Sequence, residues 1–123
     1  MEKIKLENII CAVLKKYDGH MYNSTLTKFI YLIDITNSYN TGWQLINVKW
    51  IKEKYGPFSW DIIRTVEKFP TLFNIQYDAA TNTKHIFLKD NTLTIDTAIS
   101  NLISEIAAKV PNPHNEIDAF VEY

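Results

Sequence analysis

The stretch Lys52–Trp60, KEKYGPFSW, separates two regular segments and places a Tyr-Gly-Pro corner among large aromatic rings. The whole chain has only three glycines and four prolines, so one of each side by side is a distinctive feature. Either the architecture needs a fixed corner here, or the rings around it form a surface that another molecule recognises.

The segments on either side of the corner have different periodicities. Downstream, apolar residues from Phe58 to Phe69 recur at helical spacing and predict a helix that stops at Pro70. Upstream, apolar and polar residues alternate over Ile46–Trp50, which predicts a short strand with one buried face. The corner is therefore expected to link a strand to a helix.

Apolar periodicity predicts the remaining elements as well. The middle of the second helix, FIYLIDI, is apolar almost all round and is expected to lie under other elements. The predicted elements are a first helix over Leu6–Tyr17, a second helix from the Asn23-Ser24 cap to just before Gly42, a hairpin with strands at Phe73–Tyr77 and His85–Leu88, and a fourth helix over Ile95–Val110. Residues 111–123 either add a short helix or remain loose.

The order of the elements predicts an α+β, mainly helical fold: a winged-helix-like bundle of about four helices with a short strand and a β-hairpin in the C-terminal half. The 123 residues, 46% of them hydrophobic, suffice for one core without metal or disulfide support. We therefore expect a single domain over residues 1–123.

Charge disfavours nucleic acid as the main partner. The net charge is -1, and Arg64 is the only arginine. In the predicted third helix, Arg64 and Lys68 are balanced by Asp61 and Glu67. DNA binding in the manner of a winged-helix transcription regulator therefore remains an alternative that the charge balance does not support.

The chain is expected to be cytoplasmic. The single cysteine, Cys11, cannot form an intramolecular disulfide and suits a reducing compartment. No apolar run approaches the roughly 18 residues of a membrane-spanning helix, and the first residues do not resemble a secretion signal. We expect no membrane association.

No catalytic or metal-binding constellation is visible in the sequence. His20, His85 and His114 fall on three different predicted elements without metal-ligand spacing, and we interpret them as solvated or locally bonded side chains. Cys11 is interpreted as a buried helix cysteine and not as a nucleophile. The prediction is a protein that is not an enzyme and has no cofactor and no metal.

Asp34 and several rings are the candidate functional residues. Asp34 interrupts an apolar run, so it either marks an exposed edge of the second helix or holds a neighbouring donor in place. Trp50 fits the apolar pattern of the core. Trp43, Tyr55 and Trp60 fit no stripe and are candidates for an interface.

Two groups of residues carry a resemblance to a known family. The second helix is similar to the "LxKLLYLAD" signature of the SocA-like antitoxin family, the Panacea domain, and Trp50 with the corner is similar to its "W-KYGP-V/F" signature. In the helix, the matching residues are Leu26, Lys28, Phe29, Ile30, Tyr31, Leu32 and Asp34. In the second signature, they are Trp50 and Tyr55–Phe58.

The resemblance implies a small intracellular domain of toxin-antitoxin or phage-linked gene pairs, which neutralises a partner toxin by binding it. It also implies that the corner swings the chain from the strand into the third helix and fixes the geometry of the nearby rings. The partner-binding residues are then expected to be Lys28, Tyr31, Asp34, Trp43, Tyr55, Gly56, Pro57 and Trp60.

Overall fold

A computed structural model describes residues 4–53, 56–89, 95–115 and 119–120. Within these ranges the fold is α+β and mainly helical, with four helices and an antiparallel hairpin, which confirms the predicted class. The helices are α1 (Leu6–Lys16), α2 (Asn23–Thr41), α3 (Trp60–Lys68) and α4 (Thr97–Ala107), and the strands are β1 (His20–Tyr22), β2 (Ile51–Glu53), β3 (Gly56–Phe58), β4 (Phe73–Asp78) and β5 (Thr83–Leu88).

The larger sheet has the strand order β1-β5-β4, with both pairs antiparallel. The hairpin β4–β5 is the predicted one. Strand β1 was not predicted from the sequence. It follows a turn in which Asp18 and Gly19 both have positive φ, and it pairs with β5 so that Met21 lies opposite Ile86. Three residues are too few to show an alternating pattern.

The strand predicted over Ile46–Trp50 is wrong. Ile46 makes one isolated parallel bridge with Ile4, and the segment is otherwise irregular. Ile46 and Val48 are nevertheless buried, so the alternation reflects the burial of a loop. The strand begins only at Ile51.

Gly56 and Pro57 of the Tyr-Gly-Pro corner belong to one strand of a small antiparallel pair. Strands β2 and β3 pair antiparallel, with Glu53 opposite Gly56 and Lys52 opposite Pro57. The linking residues 54–55, and with them Tyr55, lie outside the described residues. The chain thus folds back on itself at the corner, and α3 follows β3 after Ser59, whose hydroxyl accepts a hydrogen bond from the backbone of Asp61.

The core lies between the four helices and the inner face of the larger sheet, with α1 and α2 at its centre. The expectation that the middle of α2 is covered on all sides is only partly correct, since Tyr31 and Leu32 are half-buried and Ile35 is exposed. Among the described helices, none is long and apolar enough to cross a membrane.

Candidate functional site

The carboxylate of Asp34 is buried, with only 4% of the residue exposed. It accepts hydrogen bonds from Trp50 Nε1 at 2.8 Å, from Gln44 Nε2 at 3.1 Å and from the backbone N–H of Leu45 at 3.3 Å. The interpretation of Asp34 as an exposed edge is therefore wrong, and the prediction that it holds neighbouring donors in place is confirmed. These donors stabilise a charge that would otherwise be costly to bury.

The Asp34 network joins the two halves of the sequence signature. Asp34 belongs to the half on α2, and Trp50 belongs to the half that leads to the corner. Tyr31 packs edge-on against the Trp50 ring, with the centroids 5.2 Å apart. Gln44 Nε2 also donates to the carbonyl of Val48 at 2.9 Å. The irregular segment 44–50 is thereby fastened along α2.

The same segment is fastened to the start of α3. The backbone N–H of Lys49 donates to Asp61 Oδ2 at 2.8 Å, so this acidic side chain already has an internal partner. Ser59 caps α3 and is itself buried. The loop between α2 and β2 therefore has a defined position relative to both helices.

Three large side chains protrude along the C-terminal half of α2 and just beyond it. They are Ile35, Tyr39 and Trp43, which are 47%, 90% and 66% exposed. The four-residue spacing of Ile35 and Tyr39 places them on one face of the helix, and Trp43 follows the cap residue Gly42. We call these three residues the α2 ridge.

The backbone of Trp43 is held by side chains of the last turn of α2. Its N–H donates to Thr41 Oγ1 at 3.1 Å, and its carbonyl accepts from Asn37 Nδ2 at 3.0 Å. Gly42 ends the helix in the left-handed region at φ 78° and donates to the carbonyl of Ser38. The most prominent tryptophan of the chain is thus presented on a fixed backbone.

The α2 ridge lies in a stretch without charge. No acidic or basic side chain occurs between the buried Asp34 and Lys49, and the polar side chains there are amides and hydroxyls. Interface cores are depleted of charged residues and enriched in aromatic ones, and Tyr, Trp, Ser, Asn and Gly are the residues that paratopes favour. The ridge thus has the composition of a contact surface.

Trp60 lies on another part of the surface. It is 52% exposed and packs edge-on against Phe58, with the centroids 4.9 Å apart. Both rings line a groove of about 310 Å³ between the N-terminus of α2, the start of α3 and the β4–β5 loop. We call it the Trp60 groove; its lining also includes Tyr22, Ile63 and Lys84.

The other predicted site residues do not join one surface. Lys28 Nζ donates to the carbonyl of Phe120 at 2.6 Å and lies 5.5 Å from its ring centroid, and burial lowers the pKa of Lys28. Gly56 and Pro57 belong to β3, and Tyr55 is outside the described residues. The structure therefore separates Lys28, the Asp34 network, the α2 ridge and the Trp60 groove, and their role in binding a partner stays a prediction.

The interpretation of the three histidines as solvated or locally bonded side chains is wrong, because they contact one another across the fold. His20 Nδ1 and His85 Nε2 are 2.9 Å apart, and His114 stacks on His20 with the centroids 4.5 Å apart. Burial lowers the pKa of His85, and the charges of His20 and His114 lower it further. No sequence signal pointed to this cluster, because it depends on the pairing of the very short strand β1.

Among the described residues, no three His, Cys, Asp or Glu side chains are arranged to hold a metal ion. Cys11 is buried in α1, and burial, followed by the nearby charge of Glu7, raises the pKa of its thiol to about 11. At neutral pH this sulfur is a protonated thiol and a poor nucleophile.

A family model described as "Antitoxin SocA-like, Panacea domain" matches residues 26–114, well over half of the 123-residue chain. Neither a curated protein nor a solved structure gives a significant match. The matched range includes the Asp34 network, the α2 ridge and Trp60.

Proposed function

The chain belongs to the SocA-like antitoxin family of Panacea domains, and on this premise we propose that it binds and neutralises a protein toxin encoded by a neighbouring gene. The α2 ridge is the observation that carries the proposal. The ridge has large exposed rings, lies in a sequence stretch without charged residues, and has a hydrogen-bonded backbone at Trp43. In this proposal, binding takes place in the cytoplasm and involves no catalysis.

The fixed backbone of Trp43 favours tight binding. Ordering a loop at an interface costs free energy, and Asn37 and Thr41 already hold the backbone of Trp43 in the unbound chain. Tryptophan and tyrosine anchors commonly contribute 2 kcal/mol or more to an interface, by the measure of their truncation to alanine. Tyr39 and Trp43 are therefore the proposed anchors.

Asp34 acts in this proposal as a positioning residue. It is too deeply buried to touch a partner, but it fastens Gln44 and Leu45, which directly follow Trp43. Loss of the carboxylate should loosen the loop that begins with the ridge tryptophan. The Trp60 groove is the second place where a partner could make contact.

Co-expression with the product of the neighbouring gene tests the proposal. The wild-type chain should co-purify with this product and restore growth of cells that express it. A Tyr39→Ser, Trp43→Ser double variant should lose both effects. Tyr77→Ser removes an exposed ring on β4 and its hydrogen bond to Asn82 at the edge of the Trp60 groove, and with the contact on the ridge it should retain them. Wild type that neither co-purifies nor restores growth would refute the proposed function.

A Trp60→Ser variant separates the two surfaces. If it binds as wild type does while the ridge variant fails, the ridge is the contact. If Trp60→Ser fails and the ridge variant binds, the contact lies in the Trp60 groove. Thermal unfolding of each variant checks that lost binding does not reflect lost structure.

One observation favours a second function, DNA binding. The strand order β1-β5-β4, with α3 immediately before the β4–β5 hairpin, supports a winged-helix architecture. The charge balance speaks against it, because α3 carries Asp61 and Glu67 as well as Arg64 and Lys68. Gel shifts at moderate salt should show no binding; binding abolished by Arg64→Ala with Lys68→Ala would establish the DNA-binding function instead.

A further inference from the structure

The chain's three histidines all lie in one cluster, where they join the turn at residues 111–115 to the larger sheet. We propose that His20, His85 and His114 form an acid-sensitive clasp, which holds this turn against β1 and β5 while the cluster is neutral and releases it when the cluster takes up protons. The clasp is independent of the proposed partner binding.

The pair of His20 and His85 can accommodate only one positive charge. Their facing nitrogens, Nδ1 and Nε2, are 2.9 Å apart, so one must donate a proton and the other must accept it. A cationic ring can donate to a neutral one and keep this hydrogen bond. Once both rings are cationic, two N–H groups face each other and the rings must separate.

His114 adds a third ring, and a positive charge on it is repelled by a positive charge on His20. Its Nε2 lies 2.8 Å from the carbonyl oxygen of Tyr17, which can only accept, so Nε2 carries the proton and further protonation occurs at Nδ1. The His114 ring is nearly parallel to that of His20, at an angle of 19°. Two stacked imidazolium rings repel each other, and the repulsion is relieved when His114 moves away.

The contacts that the cluster makes with its surroundings come from uncharged groups. The rings of Tyr22 and Phe87 pack against His85, and Tyr17 packs edge-on against His114. From the neighbouring strand β4, the uncharged Gln76 is opposite His85.

Beside His114, a cavity of about 470 Å³ is lined by one acid and one base, Asp18 and Lys16. The side of the cavity formed by α4 contributes Ser104 and alanines, with no charge. Burial and the charges of His20 and His114 lower the pKa of His85 accordingly.

The turn that the clasp holds has hydrogen bonds of its own. Asn112 Oδ1 accepts from the backbone N–H groups of His114 and Asn115, at 2.7 Å and 3.1 Å. Further along, Phe120 is fully buried against Phe29. In the proposal, release is local and leaves Phe120 in the core.

Histidine-ring and backbone NMR spectra of the ¹⁵N-labelled chain between about pH 8 and pH 4.5 test the clasp. Because the sequence has only three histidines, every ring that titrates belongs to the cluster. Free histidine rings titrate near pH 6.5. We expect at least one ring to titrate below that value, with the NOE cross-peaks between the stacked His114 and His20 rings lost over the same pH range while the amides of α1 and α2 keep their protection.

Two outcomes would overturn the proposal. One is a wild-type chain in which all three rings titrate independently near pH 6.5 and the cross-peaks between the His114 and His20 rings persist throughout. The other is a His20→Phe, His85→Gln variant, in which His114 has no charged neighbour in the cluster, that loses the cross-peaks between His114 and the ring at position 20 over the same pH range as wild type. If that variant does not fold at neutral pH, the wild-type titration alone decides.

Discussion

At the scale of single residues, Asp34 shows what sequence reasoning reaches and where it stops. An acid within an apolar helical run signals either exposure or a buried network, and the sequence alone could not separate the two. The donors lie 10, 11 and 16 residues further along, on an irregular loop. Only the path of that loop brings Trp50 back to α2.

Asp34→Ala should lower the free energy of unfolding by about 3 kcal/mol, because it leaves three donors in the loop without their charged acceptor. Urea unfolding at pH 7.5 measures the change. Asp78→Ala, which removes an exposed carboxylate that bonds only the nearby backbone of Ala80, serves as the control and should cost no more than about 0.5 kcal/mol. A loss below about 1 kcal/mol for Asp34→Ala would contradict the role of the network.

Cys11 should be unreactive in the folded chain. With a thiol pKa of about 11, roughly a thousandth of the sulfur is thiolate at pH 8, and the side chain is buried. Iodoacetamide labelling followed by mass spectrometry should proceed more than about 100-fold more slowly in buffer than in 8 M urea. Equal rates in both conditions would show that α1 does not protect the thiol.

At the scale of elements, periodicity predicted the helices well and the short strands poorly. The stripes of α1, α3 and α4 and the hairpin β4–β5 are long enough to repeat their pattern. Strands β1, β2 and β3 have three residues each, and their existence depends on pairing partners that the local sequence does not reveal. The buried loop at Ile46–Val48 shows that alternation can report burial without a strand.

The end of α2 gives a prediction for Gly42. Its φ is 78°, and no atom lies within 4 Å of where a Cβ would stand, so a substitution there meets backbone strain without a clash. Gly42→Ala should lower the free energy of unfolding by about 1–2 kcal/mol, and Gly42→Asn by less, because asparagine tolerates the left-handed region. Thermal or urea unfolding measures both; equal costs would show that left-handed strain is not what Gly42 relieves.

At the scale of the whole molecule, the histidine cluster could not be predicted. Its members are up to 94 positions apart along the chain, as the numbers of His20 and His114 show. They meet only because β1 pairs with β5 and because the turn at residues 111–115 packs beside Tyr17. The α2 ridge was partly predicted, since Trp43 fitted no core stripe, whereas Ile35 belongs to the middle of the helix that was expected to be covered and Tyr39 had no assigned role.

Global stability should fall in mild acid. The pKa of His85 is lower in the folded chain than in the unfolded chain, so the unfolded state binds more protons as the pH falls below about 6.5. The stabilisation from neutral His85 is thus complete above that pH and is lost as the pH falls through the folded-state pKa.

Urea unfolding of wild type and of a His85→Gln variant, at about pH 7.5 and pH 5.5, measures this dependence. The decrease between the two pH values should be smaller in the variant, because His85 no longer contributes to it. An equal decrease in both proteins would place the pH dependence on other groups.

The most direct test of the central proposal is the dissociation constant of the purified chain for the product of its neighbouring gene, measured by calorimetry for wild type, the ridge double variant and Tyr77→Ser. We predict that Tyr39→Ser with Trp43→Ser weakens binding by about 30-fold or more, equivalent to roughly 2 kcal/mol, and that Tyr77→Ser changes it by less than about threefold. A ridge variant that folds normally and binds as tightly as wild type would contradict the assignment of the α2 ridge as the partner-binding surface.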